Sequence, residues 1–171
     1  MCFTLAFIIV LCCYPVYADV SAQAYILYCP STGEVVSQRN MNRRMTMAST
    51  TKIMTGLLLC EAGAPEAIVS ITSSMLKVEG TSIGLQKGDR ISRINLAYGL
   101  LLESGNDAAN AIAIHLAGSI EAFAEQMNTR AQQLGLDGTH FVTPSGLDAD
   151  AHYTTAYDMA ILTAAAMQNS T

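Results

Sequence analysis

The apolar and polar positions divide the chain into a short strand-forming part and a long helical block. Ala24 to Tyr28 and Glu34 to Gln38 are β-rich and flank Cys29-Pro30-Ser31-Thr32-Gly33, whose turn chemistry predicts a two-stranded hairpin. Asn40 to Thr46 is polar and basic, a surface connection. From Thr50 to Glu61 the residues are apolar on every side, which predicts a buried central helix ending at Gly63-Ala64-Pro65. Ile68 to Ile71 suits a short strand, Gly80 to Gly84 a loop, and Gln86 to Asp89 a turn. Ile91 to Leu102 then carries an apolar face of Ile94, Leu96, Ala97, Leu100 and Leu101, the spacing of a helix. Ser104-Gly105-Asn106 interrupts it. Two further helices, Asp107 to Leu116 and Ile120 to Leu134, stop at Gly118 and Gly135. Phe141 to Ala151 is irregular. Thr155 with Asp158 three residues on marks the start of a last helix to about Met167.

Two strands do not make a stable sheet alone. Such a sheet needs more strands than this order supplies before Thr171, so the chain is expected to stop short of a complete domain. Its 171 residues suffice for one domain with an ordinary core. With 51% hydrophobic and 13% charged residues, a disordered chain is excluded. The net charge of −5 and the lack of a Lys/Arg run leave no nucleic-acid footprint. Phe3 to Cys13 is nearly all apolar, and Val16-Tyr17-Ala18 places small residues where a signal peptidase reads. Residues 1–18 are therefore expected to be a signal peptide and 19–171 an incomplete catalytic domain, on a secreted, extracytoplasmic protein. No Lys or Arg precedes the apolar run, and a buried strand or helix is the alternative. Of five cysteines, Cys29 and Cys60 would remain after cleavage. A disulfide between them is allowed outside the cytoplasm, but two cysteines are no framework.

Ser49-Thr50-Thr51-Lys52 is a Ser-x-x-Lys motif. Residues three apart share a helix face, so the Lys52 amine can reach the Ser49 hydroxyl. A serine needs a base to become a nucleophile, and a lysine is a base only when neutral. Burial lowers its pKa, and the apolar run after Lys52 supplies burial. Ser49 at a helix N-terminus would also meet a favourable dipole, with its own N–H as an oxyanion donor. The motif alone is weak: Ser74-Met75-Leu76-Lys77 repeats it in a polar stretch and reads as chance. Ser104-Gly105-Asn106 can present a hydroxyl that relays a proton and an amide that holds a substrate amide and the lysine. A helix-to-helix turn favours the same residues.

Together these elements resemble the serine penicillin-recognising enzymes, whose signature is Ser-x-x-Lys, Ser-Asp-Asn and Lys-Thr-Gly. The Ser-Gly-Asn form is most similar to the D-alanyl-D-alanine carboxypeptidases of peptidase family S11, the low-molecular-mass penicillin-binding proteins. Met47 to Thr55, Gly80 to Leu85, Lys87-Gly88-Asp89, Tyr98 to Ala109, Thr139-His140-Phe141, Ser145 to Asp148 and His152 to Asp158 carry the resemblance. It implies an α/β (α+β) fold like that of serine β-lactamases and penicillin-binding transpeptidases: an antiparallel sheet flanked by helices, with an all-helical lobe. It implies Ser49 as nucleophile, Lys52 as general base, Ser104 as proton relay and Asn106 as substrate ligand. It implies a peptidoglycan stem peptide ending in D-Ala-D-Ala as substrate, β-lactams as inhibitors, and neither metal nor other cofactor. Membrane association through a C-terminal amphipathic segment, missing here, would also follow.

The chain departs from the family pattern in two places. It has no Lys-Thr-Gly; the other lysines are Lys77 and Lys87. In the family that strand lies beyond the point where this chain ends, so the chain by itself is expected to be inactive. Ser145 stands where many relatives have His or Asn. His115 reads as packing or surface. His140 and His152 fall in the irregular segment at no common metal spacing, and Glu103 reads as a helix-end carboxylate. A serine β-lactamase is the competing enzyme, although no glutamate lies between Phe141 and Ala151 to activate water. A non-catalytic penicillin-binding domain or an inert fragment is the other alternative.

Overall fold

The structure is a computed structural model that describes residues 20–169. The signal peptide expected over residues 1–18 lies outside them. Strands β1 (Tyr25–Cys29) and β2 (Glu34–Arg39) pair antiparallel as the predicted hairpin, with a register shift between Leu27 and Tyr28. Gly33, at φ +74°, supplies the left-handed residue that the turn requires. A 3-10 turn over Ala48–Thr51 then leads into α1 (Lys52–Glu61).

One element differs from the sequence reading. Arg90–Ser92 is not helical but a strand, β4, paired antiparallel with β3 (Ile68–Ser70). Ser92 ends that strand and also caps α2 (Arg93–Leu101), accepting a bond from the Asn95 N–H. The remaining helices are α3 (Asn106–Ala117), α4 (Ile120–Gln133) and α5 (Ala156–Gln168). Ser119 and Thr155 cap α4 and α5 through their side-chain oxygens. Gly118 closes α3 at φ +84°.

Helix α1 is the hub and packs against α2, α3, α4 and α5. Met54, Leu96, Leu100, Ile112, Phe123, Met127, Phe141 and Leu162 form the fully buried centre. Each such side chain contributes about 1.5–3 kcal/mol relative to exposure. Ala108, Ala109, Ala111 and Ala113 are completely buried along α3, and their small volume lets neighbouring helices approach closely. Helix α5 lies against β1, where Tyr28 and Tyr157 meet edge to face. Arg93 donates to the Ala62 and Gly63 carbonyls and so covers the C-terminal end of α1. Among the described residues no helix is long and apolar enough to cross a membrane.

Candidate active site

Ser49 sits in the 3-10 turn and Lys52 is the first residue of α1, so their spacing of three brings both to one side. Lys52 Nζ lies 3.2 Å from Ser49 Oγ and donates to the Ser145 carbonyl at 2.8 Å. The lysine is only 2% exposed, whereas Ser49 is exposed. Burial pushes the Lys52 amine below its ordinary value, because the charged form loses its water. Ser104 Oγ donates to Ser49 Oγ at 3.0 Å from the connection between α2 and α3. Ala48 and Ser104 both hold positive φ, +44° and +55°. For non-glycine residues that costs about 1–3 kcal/mol each, and such strain gathers where function sets the backbone. Ser49, Lys52 and Ser104 line one cleft with Ile53, Leu100 and Leu101.

The irregular segment closes over the back of this pair. Thr55 Oγ1 donates to the Pro144 carbonyl at 2.7 Å, next to the Lys52–Ser145 bond. Gly146, at φ +83°, lies so close to the Ala48 carbonyl that a Cβ would overlap it. His152 is buried, with Nε2 2.9 Å from Thr51 Oγ1 and Nδ1 accepting from the Val142 N–H at 2.9 Å. Because Nδ1 accepts from the backbone, the ring proton sits on Nε2 and points at Thr51. Burial, then the neighbouring His140, lowers the His152 pKa, while Asp148 opposes them.

Asn106 opens α3, but its amide is not on Lys52. Nδ2 donates to the Glu79 carbonyl at 2.7 Å, and the Asn106 N–H donates to the Thr81 carbonyl at 2.7 Å. The structure thus unites Ser49, Lys52 and Ser104 directly and ties Asn106 to the 79–81 loop. Asp107 beside it is 2% exposed and accepts from Ser82 Oγ and from the N–H groups of Ile83, Leu85 and Ala108. Burial would raise its pKa, but these four bonds outweigh it and hold the carboxyl below the ordinary range.

A family model described as D-alanyl-D-alanine carboxypeptidase, Peptidase S11, matches residues 13–171. The chain belongs to this family. It is 38% identical over 146 residues to D-alanyl-D-alanine carboxypeptidase DacF of Bacillus subtilis (strain 168), covering 82% of this chain and 38% of DacF. The chain therefore spans about two fifths of that relative's length. Among solved structures, the carboxypeptidase DacD from Francisella tularensis superposes with a TM-score of 0.86 at 33% identity, over 97% of this chain and 41% of that one. Penicillin binding protein 6B from Escherichia coli gives 0.85 at 34%, over 91% and 53%. The fold is accordingly the α+β fold of the penicillin-binding DD-peptidases.

Several residues of this S11 chain escaped the sequence reading. The Ser145 carbonyl, Gly146, Thr51, His152 and Asp107 all touch the site or its supports, yet no motif spacing marks them. His152 in the irregular segment and the Ser145-Gly146-Leu147-Asp148 block were the available signals. The second Ser-x-x-Lys leads nowhere: Ser74 and Lys77 are exposed and Ser74 bonds Thr72. His115 accepts from Arg93, and His140 Nδ1 bonds the Ala151 carbonyl. Cys29 and Cys60 are both free thiols.

Proposed function

We propose that this chain carries the nucleophile half of a serine-type D-Ala-D-Ala carboxypeptidase site that acts on peptidoglycan stem peptides. The observation that carries the reading is the contact of Ser49 Oγ with both Lys52 Nζ and Ser104 Oγ, within 3.2 Å, in a member of this family. Neutral Lys52 takes the Ser49 proton as Oγ adds to the carbonyl of the D-Ala-D-Ala bond. The Ser49 N–H at the helix head supports the oxyanion. The tetrahedral adduct expels D-alanine, whose amine collects the proton from Lys52 through Ser104. Asn106 steadies the substrate amide. Water then hydrolyses the ester and restores Ser49. A β-lactam acylates the same oxygen by ring opening and leaves slowly.

This chemistry belongs outside the cytoplasm, in keeping with the apolar leader expected over residues 1–18. Attachment to the membrane by a C-terminal amphipathic segment is part of the same proposal. The test is labelling of the whole protein with fluorescent penicillin. Wild type is expected to take one label, mapped to Ser49, and Ser49→Ala to take none. Labelling of the alanine variant at full level would remove Ser49 as the nucleophile.

A further inference from the structure

We infer that His152 is a positioning residue that sets the register between the nucleophile turn and the loop that orients the Lys52 amine. The inference rests on the proposed role of Ser49 and Lys52. A neutral amine has two N–H donors and one lone pair. With one N–H committed to the Ser145 carbonyl at 2.8 Å, the lone pair can be turned toward Ser49 Oγ. The position of that carbonyl therefore decides whether Lys52 can accept the proton. It lies in an irregular segment with no helix or strand of its own to hold it.

Thr55 holds the Pro144 carbonyl from α1, and the imidazole of His152 supplies a second tie, this one to the nucleophile turn itself. On one side its Nε2–H meets Thr51 Oγ1, one residue before Lys52. On the other, Nδ1 accepts from the Val142 N–H at 2.9 Å and the Thr143 N–H at 3.4 Å, two residues before Ser145. Every hydrogen bond of the ring thus goes to one of the two segments that must be in register. Both His152 and Thr51 are buried, and Phe141 packs its ring edge to face against the imidazole. A histidine that only filled the core would not bridge these two segments with both nitrogens.

The experiment is rapid-mixing acylation of the whole protein by penicillin, which separates noncovalent affinity, the rate constant at saturation and the final labelled fraction. His152→Gln keeps a donor near Thr51 but loses the Nδ1 acceptor. Thr51→Val keeps the shape but loses the hydroxyl. Both are expected to lower the saturating rate constant by about tenfold to a hundredfold, the effect of misplacing a reacting group by on the order of 1 Å. Noncovalent affinity and the final labelled fraction should stay within about threefold of wild type, because folded protein and cleft remain. Thr51→Ser, which restores the hydroxyl, should recover most of the rate. Unfolding alone would lower the labelled fraction and leave the rate constant of the remainder unchanged; that pattern would overturn the positioning role. So would wild-type rate constants in both variants. If His152→Gln does not fold, Thr51→Val and its serine counterpart decide. A wild-type protein that takes no label would overturn the proposed site itself, a result distinct from the other two.

Discussion

Gly146→Ala tests whether the 143–147 segment is seated on the Ala48–Thr51 turn as closely as described. The glycine holds φ +83°, and an alanine there costs about 1–2 kcal/mol for the left-handed backbone alone. Its Cβ would also overlap the Ala48 carbonyl and lie 2.7 Å from Thr51 Oγ1. The first obstacle is backbone and cannot rotate away, so the loop has to lift. Lifting strains the bonds from Thr55 to the Pro144 carbonyl and from Lys52 to the Ser145 carbonyl, 2.7 and 2.8 Å long. Losing them removes about 0.5–1.5 kcal/mol for each bond, the Lys52 amine being neutral under the proposed mechanism. The expected total is about 2–5 kcal/mol. Gly33→Ala is the matched control: φ is +74°, but nothing lies within 4 Å of its Cβ, so only the backbone cost of about 1–2 kcal/mol applies. Urea unfolding followed by circular dichroism gives both values, and penicillin labelling reports the site. Equal destabilisation by the two substitutions, with labelling at the wild-type rate in Gly146→Ala, would refute the close seating.

Two further outcomes follow from the ionisable groups. Asp107→Asn replaces a four-fold acceptor with a group whose NH2 opposes backbone N–H donors, and should cost about 2–4 kcal/mol by urea unfolding. Since the folded pKa of Asp107 is lowered, its stabilisation is present above the unfolded value of about 3.9 and is lost as pH falls through the folded value. The urea midpoint of wild type should therefore drop more steeply in that acid range than that of Asp107→Asn. Cys29, with a thiol pKa lowered to about 7 chiefly by the Ser31 hydroxyl, should react with iodoacetamide near neutral pH before Cys60. The Cys60 thiol is raised by burial and then by Glu61, and mass spectrometry showing Cys60 modified first would contradict this order.

Local patterns made most of the fold legible. The Gly33 turn, the apolar residues Ile53, Met54 and Leu57 to Leu59 of α1 and the caps at Gly118 and Thr155 need only neighbours within a few residues. Strand β4 was missed because Arg90-Ile91-Ser92 runs straight into α2; only pairing with Ile68–Ser70, twenty residues back, distinguishes it from a helix start. Thr155 does cap α5, but Asp158 does not return the bond. Its carboxylate instead accepts from the Gly138 N–H and the Thr139 hydroxyl. The same division holds in the site. Ser49 and Lys52 are three residues apart and could be paired from spacing. Ser104 reaches Ser49 across 55 positions, and family blocks rather than periodicity pointed to it. The Ser145 carbonyl is a backbone group, which every residue possesses, so no residue type could announce it.

The geometry also bears on which group near Ser49 can act as base. Two nitrogen groups lie close to the turn, Lys52 and His152, and by ordinary pKa the histidine would be the natural base at neutral pH. Its nitrogens are both committed elsewhere. Nδ1 faces the Val142 N–H, and Nε2 faces Thr51 Oγ1. Taking a proton at Nδ1 would set an N–H against a backbone N–H in a buried site, and burial already disfavours the charged ring. Ser104 contacts Ser49 but is a hydroxyl, too weak a base to hold the proton and suited only to pass it on. Lys52 alone combines contact with Ser49 Oγ and a pKa lowered by burial. Ser49 is exposed while the Lys52 amine is not, so under the proposed mechanism a substrate reaches the hydroxyl from solvent without water resolvating the amine. Under the proposed mechanism, then, the base is assigned by exclusion as well as by contact: His152 fixes the frame, Ser104 hands on the proton, and Lys52 holds it.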